Sequence, residues 1–289
     1  MFSAEVRRDV SLAPYTTFKI GGPAKYFFTA RSEEELKKII QEAKDNQIPY
    51  FILGKGSNVL IADEGYKGLV IKLEFNKISF NDKQVIISAD VGLGSLMGFC
   101  KDKGLSGLEF LAGIPATVGG IIWANAGSDK ENIGQLIERV KVLSNNGTIE
   151  LNNKDCQFAY RDSIFKHQKD YIIIEAVLNL QTASSEIIAE KIKKMTENKL
   201  KSQDLEHPSI GSIFKNPAGD KKAWELIRDV DLAGFKMGGA QVSEKHTNFI
   251  INTGQATASD VIMLISLIKQ KVRDELEIQL MEEIEYVGF

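Results

Sequence analysis

Two glycine-rich segments carry the clearest chemical signal in this 289-residue sequence. In Gly54-Lys55-Gly56-Ser57-Asn58, two glycines stand where a backbone must turn tightly and come close to a ligand. Successive amides in such a turn form a nest for an anion, and Ser57 and Asn58 add side-chain donors. Alone, the pattern is equally compatible with an ordinary turn. The second segment, Gly113 to Gly127, is almost uncharged. Its Pro115 fixes one backbone angle, Gly119-Gly120 lets backbone approach a neighbour, and Thr117 and Asn125 can hydrogen-bond a cofactor. A solvent loop would be more polar, so contact with a cofactor is favoured. Neither segment fits the G-x-G-x-x-G strand-to-helix fingerprint or the G-x-x-x-x-G-K-[ST] phosphate loop. A classical nicotinamide domain and an ordinary nucleotide triphosphatase are disfavoured.

The elements around these segments can be read from periodicity. Ser32-Glu33-Glu34-Glu35 reads as a capping box opening a helix, with Leu36, Ile39, Ile40 and Ala43 at helical spacing. Tyr50 to Leu53 and Val59 to Ile61 read as strands, so the first glycine turn joins strand to strand. Leu69 to Ile71, Val85 to Ile87, Val140 to Leu143 and Tyr171 to Ile174 read as further strands, with a hairpin signal at Asn146-Gly147. Ser95 to Lys103 reads as a short helix. From Ser184 the chain changes character. A long Lys- and Glu-rich helix carries Ile187, Ile188, Ile192 and Met195, and a shorter one carries Trp224, Ile227 and Val230. A third, capped by Ser259, carries Val261, Ile262, Ile265, Ile268 and Val272. The tail, Ile278 to Val287, alternates like a strand. A domain boundary near residue 182 follows, and no internal repeat is visible.

Composition narrows the function class. With 43% hydrophobic and 26% charged residues the chain is an ordinary globular protein. A net charge of -3 supplies no basic field, so no nucleic-acid partner is expected. Cys100 and Cys156 form no CxxC, and His167, His207 and His246 are scattered, so no metal is expected. This cysteine usage fits a reducing cytoplasm. The N-terminal residues lack an apolar run of signal-peptide length. The longest apolar stretch, Val261 to Ile268, is too short to cross a bilayer. A soluble cytoplasmic protein without membrane insertion is expected. Composition leaves the oligomeric state open, with a monomer favoured.

Seven stretches, in order from about residue 14 onward, resemble the UDP-N-acetylenolpyruvoylglucosamine reductase (MurB) family. They are Thr16 to Ala24, Leu53 to Leu60, Gly113 to Gly127, Tyr160-Arg161-Asp162-Ser163, Gly211 to Pro217, Gly238 to His246 and Phe249 to Asn252. The resemblance implies an α+β fold. An FAD-binding domain of the vanillyl-alcohol-oxidase (PCMH) type would occupy two subdomains, residues 1–72 and 73–182. A smaller α+β substrate-binding domain would span 183–276, and the C-terminal strand, 277–289, would pack on the first subdomain. The compact length resembles the shorter, type II-like members. Non-covalent FAD is implied, with NADPH as hydride donor. Leu53, Gly54, Lys55, Gly56, Ser57, Asn58, Val59 and Leu60 would surround its pyrophosphate. Gly113, Ile114, Pro115, Thr117, Val118, Gly119, Gly120, Asn125, Ala126 and Gly127 would line the flavin.

The implied substrate is the enolpyruvyl ether of UDP-N-acetylglucosamine, reduced to UDP-N-acetylmuramate during synthesis of the peptidoglycan cell wall. Hydride addition to its alkene builds charge beside the carboxylate, which needs donors, and the adjacent carbon then needs a proton. Ser212 matches the family's proton donor. Arg161 matches the arginine that polarises the carboxylate, a task suited to a planar guanidinium. The third group is a tail glutamate, and here the sequence departs from the family's Leu-Glu-Pro-Glu-Val-Arg. It reads Leu280-Met281-Glu282-Glu283-Ile284-Glu285. Counting back from Val287-Gly288 selects Glu283, and strand parity places Glu282 with the apolar Ile278, Leu280 and Ile284. Lys215, Asn216, Gln241 and His246 are the substrate-contact candidates. Ala116 stands where the family loop commonly has glycine. A competing reading is another FAD-dependent oxidase or dehydrogenase of this fold, acting on a sugar or hydroxy acid. It would keep the glycine loops but not Gly-Ser-Ile-Phe-Lys-Asn-Pro. A non-catalytic nucleotide-sugar sensor would be expected to lose Ser212, Arg161 or the tail glutamate, and all three are present.

Overall fold

The computed structural model describes residues 2–3, 5–128 and 130–289. The chain forms two compact units that interleave in sequence. The first comprises Met1–Glu5, Phe28–Lys55 and Ile71–Lys199, and the second Val6–Phe27, Gly56–Val70 and Leu200–Phe289.

The first unit is built on a five-stranded antiparallel sheet. Its order is Gly147–Asn152, Ile137–Ser144, Ile172–Asn179, Gln84–Ser88 and Ile78–Asn81. The alternation expected of half-buried strands is clear: Val85, Ile87, Val140, Val142 and Leu178 are all fully buried. The hairpin signalled at Asn146-Gly147 is present, with Gly147 opposite Ser144 and the turn made by Asn145 and Asn146. The helix Glu33–Asp45 starts where the capping box predicts. Ser32 Oγ accepts the Glu35 amide, although the Glu35 carboxylate reaches back to Arg31 N (2.7 Å) rather than to Ser32. Leu36, Ile39, Ile40 and Ala43 are its buried face. The predicted helix near Ser95 runs from Leu93 to Asp102.

The second unit has a four-stranded antiparallel sheet, ordered Ser209–Ser212, Phe249–Asn252, Ala240–Val242 and Lys236–Met237. The helices Ala223–Asp229 and Ala258–Leu276 bury Leu226, Ile227, Val261, Ile265, Ile268 and Val272 in one core with Phe18, Leu60, Phe214, Val242 and Ile250. Two expectations are corrected. The long C-terminal helix is capped by Thr257, which accepts the Asp260 amide. Ser259 lies inside the first turn and donates its amide and hydroxyl to Asp63, a carboxylate distant in sequence. The tail is strand only over Glu285–Val287, parallel to Val59–Ile61. Upstream of that, Met281 and Glu283 spend their backbone groups on Lys215 N and Ile213 O, and no regular ladder continues there.

Candidate active site

The Gly54–Asn58 turn is held open from beneath. Lys72, which follows the buried run Leu69-Val70-Ile71 in its strand, donates its Nζ to Gly54 O (2.6 Å) and more weakly to Leu53 O (3.4 Å). Burial, and next the nearby Lys55 charge, pull the Lys72 ammonium below the ordinary lysine range. A Cβ on Gly54 would lie 2.8 Å from Thr117 Oγ1. Gly56 adopts φ +64°, and a Cβ there would sit 2.5 Å from Tyr15 O, so only glycine fits. Its carbonyl accepts Thr17 N (3.1 Å), while the Thr17 hydroxyl donates to Ser209 O (2.6 Å). Among the described residues no acceptor lies against the backbone N–H groups of Lys55, Gly56, Ser57 and Asn58. Successive undonated amides in a glycine turn suit an anion such as a diphosphate.

The Gly113–Gly127 segment is less of a loop than its composition suggests. Its centre folds into a short helix, Val118–Trp123, capped by Thr117 Oγ1 accepting the Gly120 amide. The segment is laid along one edge of the unit by Leu93 N to Ala116 O, Val118 N to Val91 O and Gly119 N to Ala89 O (2.7 Å). Gly119 comes so close that a Cβ would stand 3.0 Å from Ala89 Cβ. Ala116 takes an ordinary backbone conformation, so its methyl group in place of glycine forces no strain. The Asn125 side chain is turned inward. Its amide donates to Ala159 O (2.7 Å) and its oxygen accepts Gly134 N (3.0 Å).

Those bonds tie the segment to the turn that carries Arg161. Ala159 and Asp162 exchange backbone hydrogen bonds across Tyr160 and Arg161, a two-residue turn. Arg161 sits at its tip with φ +53°, a left-handed conformation uncommon for residues other than glycine. The surroundings are specific. Arg161 Nη1 donates to Gly127 O (2.6 Å), Ser163 Oγ donates to Trp123 O (2.7 Å), and Asn125 holds Ala159. A second cation stands nearby. Lys199 Nζ donates to Ala112 O (2.6 Å), and burial first and the Arg161 charge second pull it down to about 8. A cation whose charge is disfavoured by burial and by a neighbouring guanidinium is suited to gain from an anion bound beside it.

In the second unit, Ser212 ends the strand Ser209–Ser212. The register against Phe249–Asn252 slips between Ser209 and Ser212, and Gly211 has φ +79°. A glycine bulge thus re-aims Ser212. Beyond it, Phe214 bridges Glu282 and Glu283 N donates to Ile213 O (2.8 Å), so Ser212 and Glu283 lie on neighbouring backbones. Asn58 clamps the same place: its Nδ2 donates to Glu283 O (3.2 Å) and its carbonyl accepts Glu285 N (2.9 Å). The Glu282 carboxylate is drawn to Lys269 (2.9 Å). Lys215 follows in the same run, its amide bonded to Met281 O. Asn216 Oδ1 accepts Ala223 N (3.1 Å), and Gln241 Nε2 donates to Gly234 O (3.2 Å). The His246 ring lies 4.6 Å from Phe249 and 6.2 Å from Trp224, measured between ring centres. Its Nδ1 is buried without a partner among the described residues, and burial lowers its proton affinity, which favours the neutral ring.

Lys72 and Lys199 escape sequence reasoning. Lys72 left a signal, a charge in the run Leu69-Val70-Ile71-Lys72-Leu73. Lys199 left none, because it is one lysine among many on a polar helix.

These loops and this fold define an FAD-binding α+β protein. Residues 24–151 match the FAD binding domain family, and residues 203–287 match the UDP-N-acetylenolpyruvoylglucosamine reductase C-terminal domain. The chain is 41% identical to the UDP-N-acetylenolpyruvoylglucosamine reductase of Carboxydothermus hydrogenoformans, over 99% of this chain and 95% of that one. It is 37% identical to the Clostridium tetani reductase, over 99% and 93%. The crystal structure of the Thermus caldophilus reductase (MurB) superposes with a TM-score of 0.83 at 34% identity, covering 98% of this chain and 99% of that one. The chain belongs to the UDP-N-acetylenolpyruvoylglucosamine reductase family. No helix among the described residues is long and apolar enough to cross a membrane, and no cluster of His, Cys, Asp and Glu there could hold a metal ion.

Proposed function

We infer that this protein reduces the enolpyruvyl ether of UDP-N-acetylglucosamine to UDP-N-acetylmuramate, an FAD-dependent oxidoreductase step of peptidoglycan precursor synthesis driven by NADPH. The observation that carries this reading is end-to-end similarity to reductases of that name together with an FAD-binding domain. Bound FAD would supply the hydride-transfer chemistry that links NADPH oxidation to reduction of the substrate alkene.

The chain's own residues supply the rest. The amides of Lys55 to Asn58 hold the cofactor diphosphate, and Lys72 braces the turn at Gly54. Leu53, Val59 and Leu60 flank that turn. The Gly113–Gly127 segment, through Ile114, Pro115, Val118, Gly119, Gly120, Ala126 and its capping Thr117, presents a close-packed apolar wall to the ring system. Arg161, with Lys199 behind it, grips the substrate carboxylate and stabilises the enolate that forms as hydride adds. The Ser212 hydroxyl delivers a proton to the adjacent carbon, and Glu283, held on the neighbouring backbone, supports that delivery. Lys215, Asn216, Gln241 and His246 bind the remainder of the nucleotide sugar. The subdomain division read from sequence stays a proposal, supported at one point by the parallel pairing of Glu285–Val287 with Val59–Ile61. The reaction is placed in the cytoplasm with the enzyme a monomer, which equilibrium sedimentation would check.

The decisive experiment is anaerobic. NADPH should bleach the yellow protein, and the enolpyruvyl sugar nucleotide should restore the colour. In Ser212→Ala the first step should survive and the second should fall at least about 10²-fold, the scale of a lost proton donor. Equal loss of both steps would sink the role given to the serine.

A further inference from the structure

Beyond Gly211, the strand that carries Ser212 outruns its neighbour. Phe249–Asn252 pairs with it as far as Ser212, and Asn248 O then accepts Ile213 N (2.9 Å). There the neighbouring chain leaves the sheet, because Ser243 Oγ gathers the Lys245 and His246 amides (3.2 and 3.3 Å) into a turn. Phe214 would face nothing, yet it is 1% exposed. The Asn248 side chain fills the gap. Its Oδ1 accepts Phe214 N (2.9 Å) and its Nδ2 donates to Phe214 O (2.8 Å). A primary amide used at both ends reproduces a peptide group, so the sheet gains one more rung from a side chain.

On its far edge the same short stretch carries the tail. Ile213 O accepts Glu283 N (2.8 Å), Lys215 N donates to Met281 O (2.9 Å), and Phe214 bridges Glu282. Asn248 itself is 4% exposed. It is sealed from solvent and therefore from any substrate.

We propose that Asn248 is a positioning residue for reduction of the enolpyruvyl group, its side chain serving as the β-rung that sets the backbone of Ile213 to Lys215 between Ser212 and Glu283. The proposal rests on the reading of Ser212 and Glu283 as the proton-delivering pair. Asn248 acts on both through backbone alone, so it governs the second half-reaction and leaves flavin reduction by NADPH untouched.

Asn248→Asp is the informative variant. It keeps the acceptor for Phe214 N–H but, when ionised, sets an oxygen against Phe214 O where a donor is needed. In the FAD-loaded full chain, re-oxidation of reduced flavin by the enolpyruvyl sugar nucleotide should slow by about 10- to 100-fold, the scale of a small misplacement of reacting groups. Flavin reduction should stay at the parent rate. Lowering the pH restores the donor by protonating the new carboxyl, so the N248D defect should shrink in acid, while Asn248→Ala shows no such recovery. Hydrogen exchange by mass spectrometry gives a readout independent of turnover: the amide of Glu283 should exchange faster in both variants, and that of Phe214 in N248A, which lacks the acceptor. If N248A does not fold, N248D decides alone. Loss of both half-reactions together, or a folded N248D that re-oxidises at the parent rate, overturns the proposal. Ser212→Ala measured alongside separates the two readings. A fast S212A with a slow N248D would remove the serine from its role and leave Asn248 acting through Glu283. A slow S212A with a fast N248D would remove Asn248 only.

Discussion

Lys199 is the side chain on which pH should act first. It titrates at about 8 in the folded protein against an ordinary 10.5, because burial and the Arg161 charge both disfavour its cation. Below about 8 both cations are present, and above it only the guanidinium remains. The apparent affinity for the acidic substrate should therefore weaken as pH rises through 8, and Lys199→Met should lose that dependence while binding weakly throughout. Stability should move the other way. Between about 8 and 10.5 the unfolded chain keeps a proton that the folded chain has released, so stability rises with pH across that window. The rise should be smaller in K199M, and urea melts at pH 7.5 and 10 on both proteins would reveal it. An unchanged difference between those two pH values would show that Lys199 is not the desolvated group. The cysteines make a contrasting case. Burial pushes both the Cys100 and Cys156 thiols up to about 12. Native protein should resist iodoacetamide at pH 8 and label at both positions only in denaturant.

At the scale of an element, the strand Ser209–Ser212 is the most exacting. Nothing lies within 4 Å of a Cβ built on Gly211, so Gly211→Ala meets no neighbour, only a backbone at φ +79°. The left-handed penalty of roughly 1–2 kcal/mol should appear as a lower urea midpoint. If the bulge relaxes to relieve it, Ser212 rotates toward the opposite face of the sheet, because side-chain direction alternates along a strand. Re-oxidation of the flavin should then fall by more than the stability loss explains. A variant that melts earlier but re-oxidises normally would mean the bulge does not aim the serine. Element reading from sequence did well where the signal was local. The buried face of Glu33–Asp45 and the alternation in Gln84–Ser88 need only nearest neighbours to define them. It failed at Ser259, where Asp63 arrives from another part of the chain to satisfy the helix start, and along the tail, where Ile213 and Lys215 take hydrogen bonds that a regular ladder would have used.

For the molecule as a whole, ligand binding and folding are linked. The Gly54–Asn58 turn keeps its amides undonated, an arrangement that gains stability when an anion is present. Protein stripped of FAD should melt at a lower temperature. Each tenfold rise in free FAD above the dissociation constant should add about 1.4 kcal/mol. A melting temperature indifferent to FAD would contradict the cofactor assignment even if the family is right.

What the sequence determined by itself was the family, the order of the elements and the two glycine segments. These features are written in consecutive residues: a glycine at a tight turn, a proline, an apolar period of two or of 3.6. Tertiary structure alone decided that Lys199 shares a field with Arg161, that Lys72 supports Gly54, and that Asn248 completes a strand for Phe214. Each depends on residues eighteen or more positions apart meeting within hydrogen-bond or Coulomb range, and no local pattern encodes which of many lysines or asparagines will be buried there. The choice between Glu282 and Glu283 belongs to both levels. Residue counting selected the second, and packing supplied the physical contrast, because Lys269 holds the Glu282 carboxylate while Asn58 and Ile213 fix the Glu283 backbone.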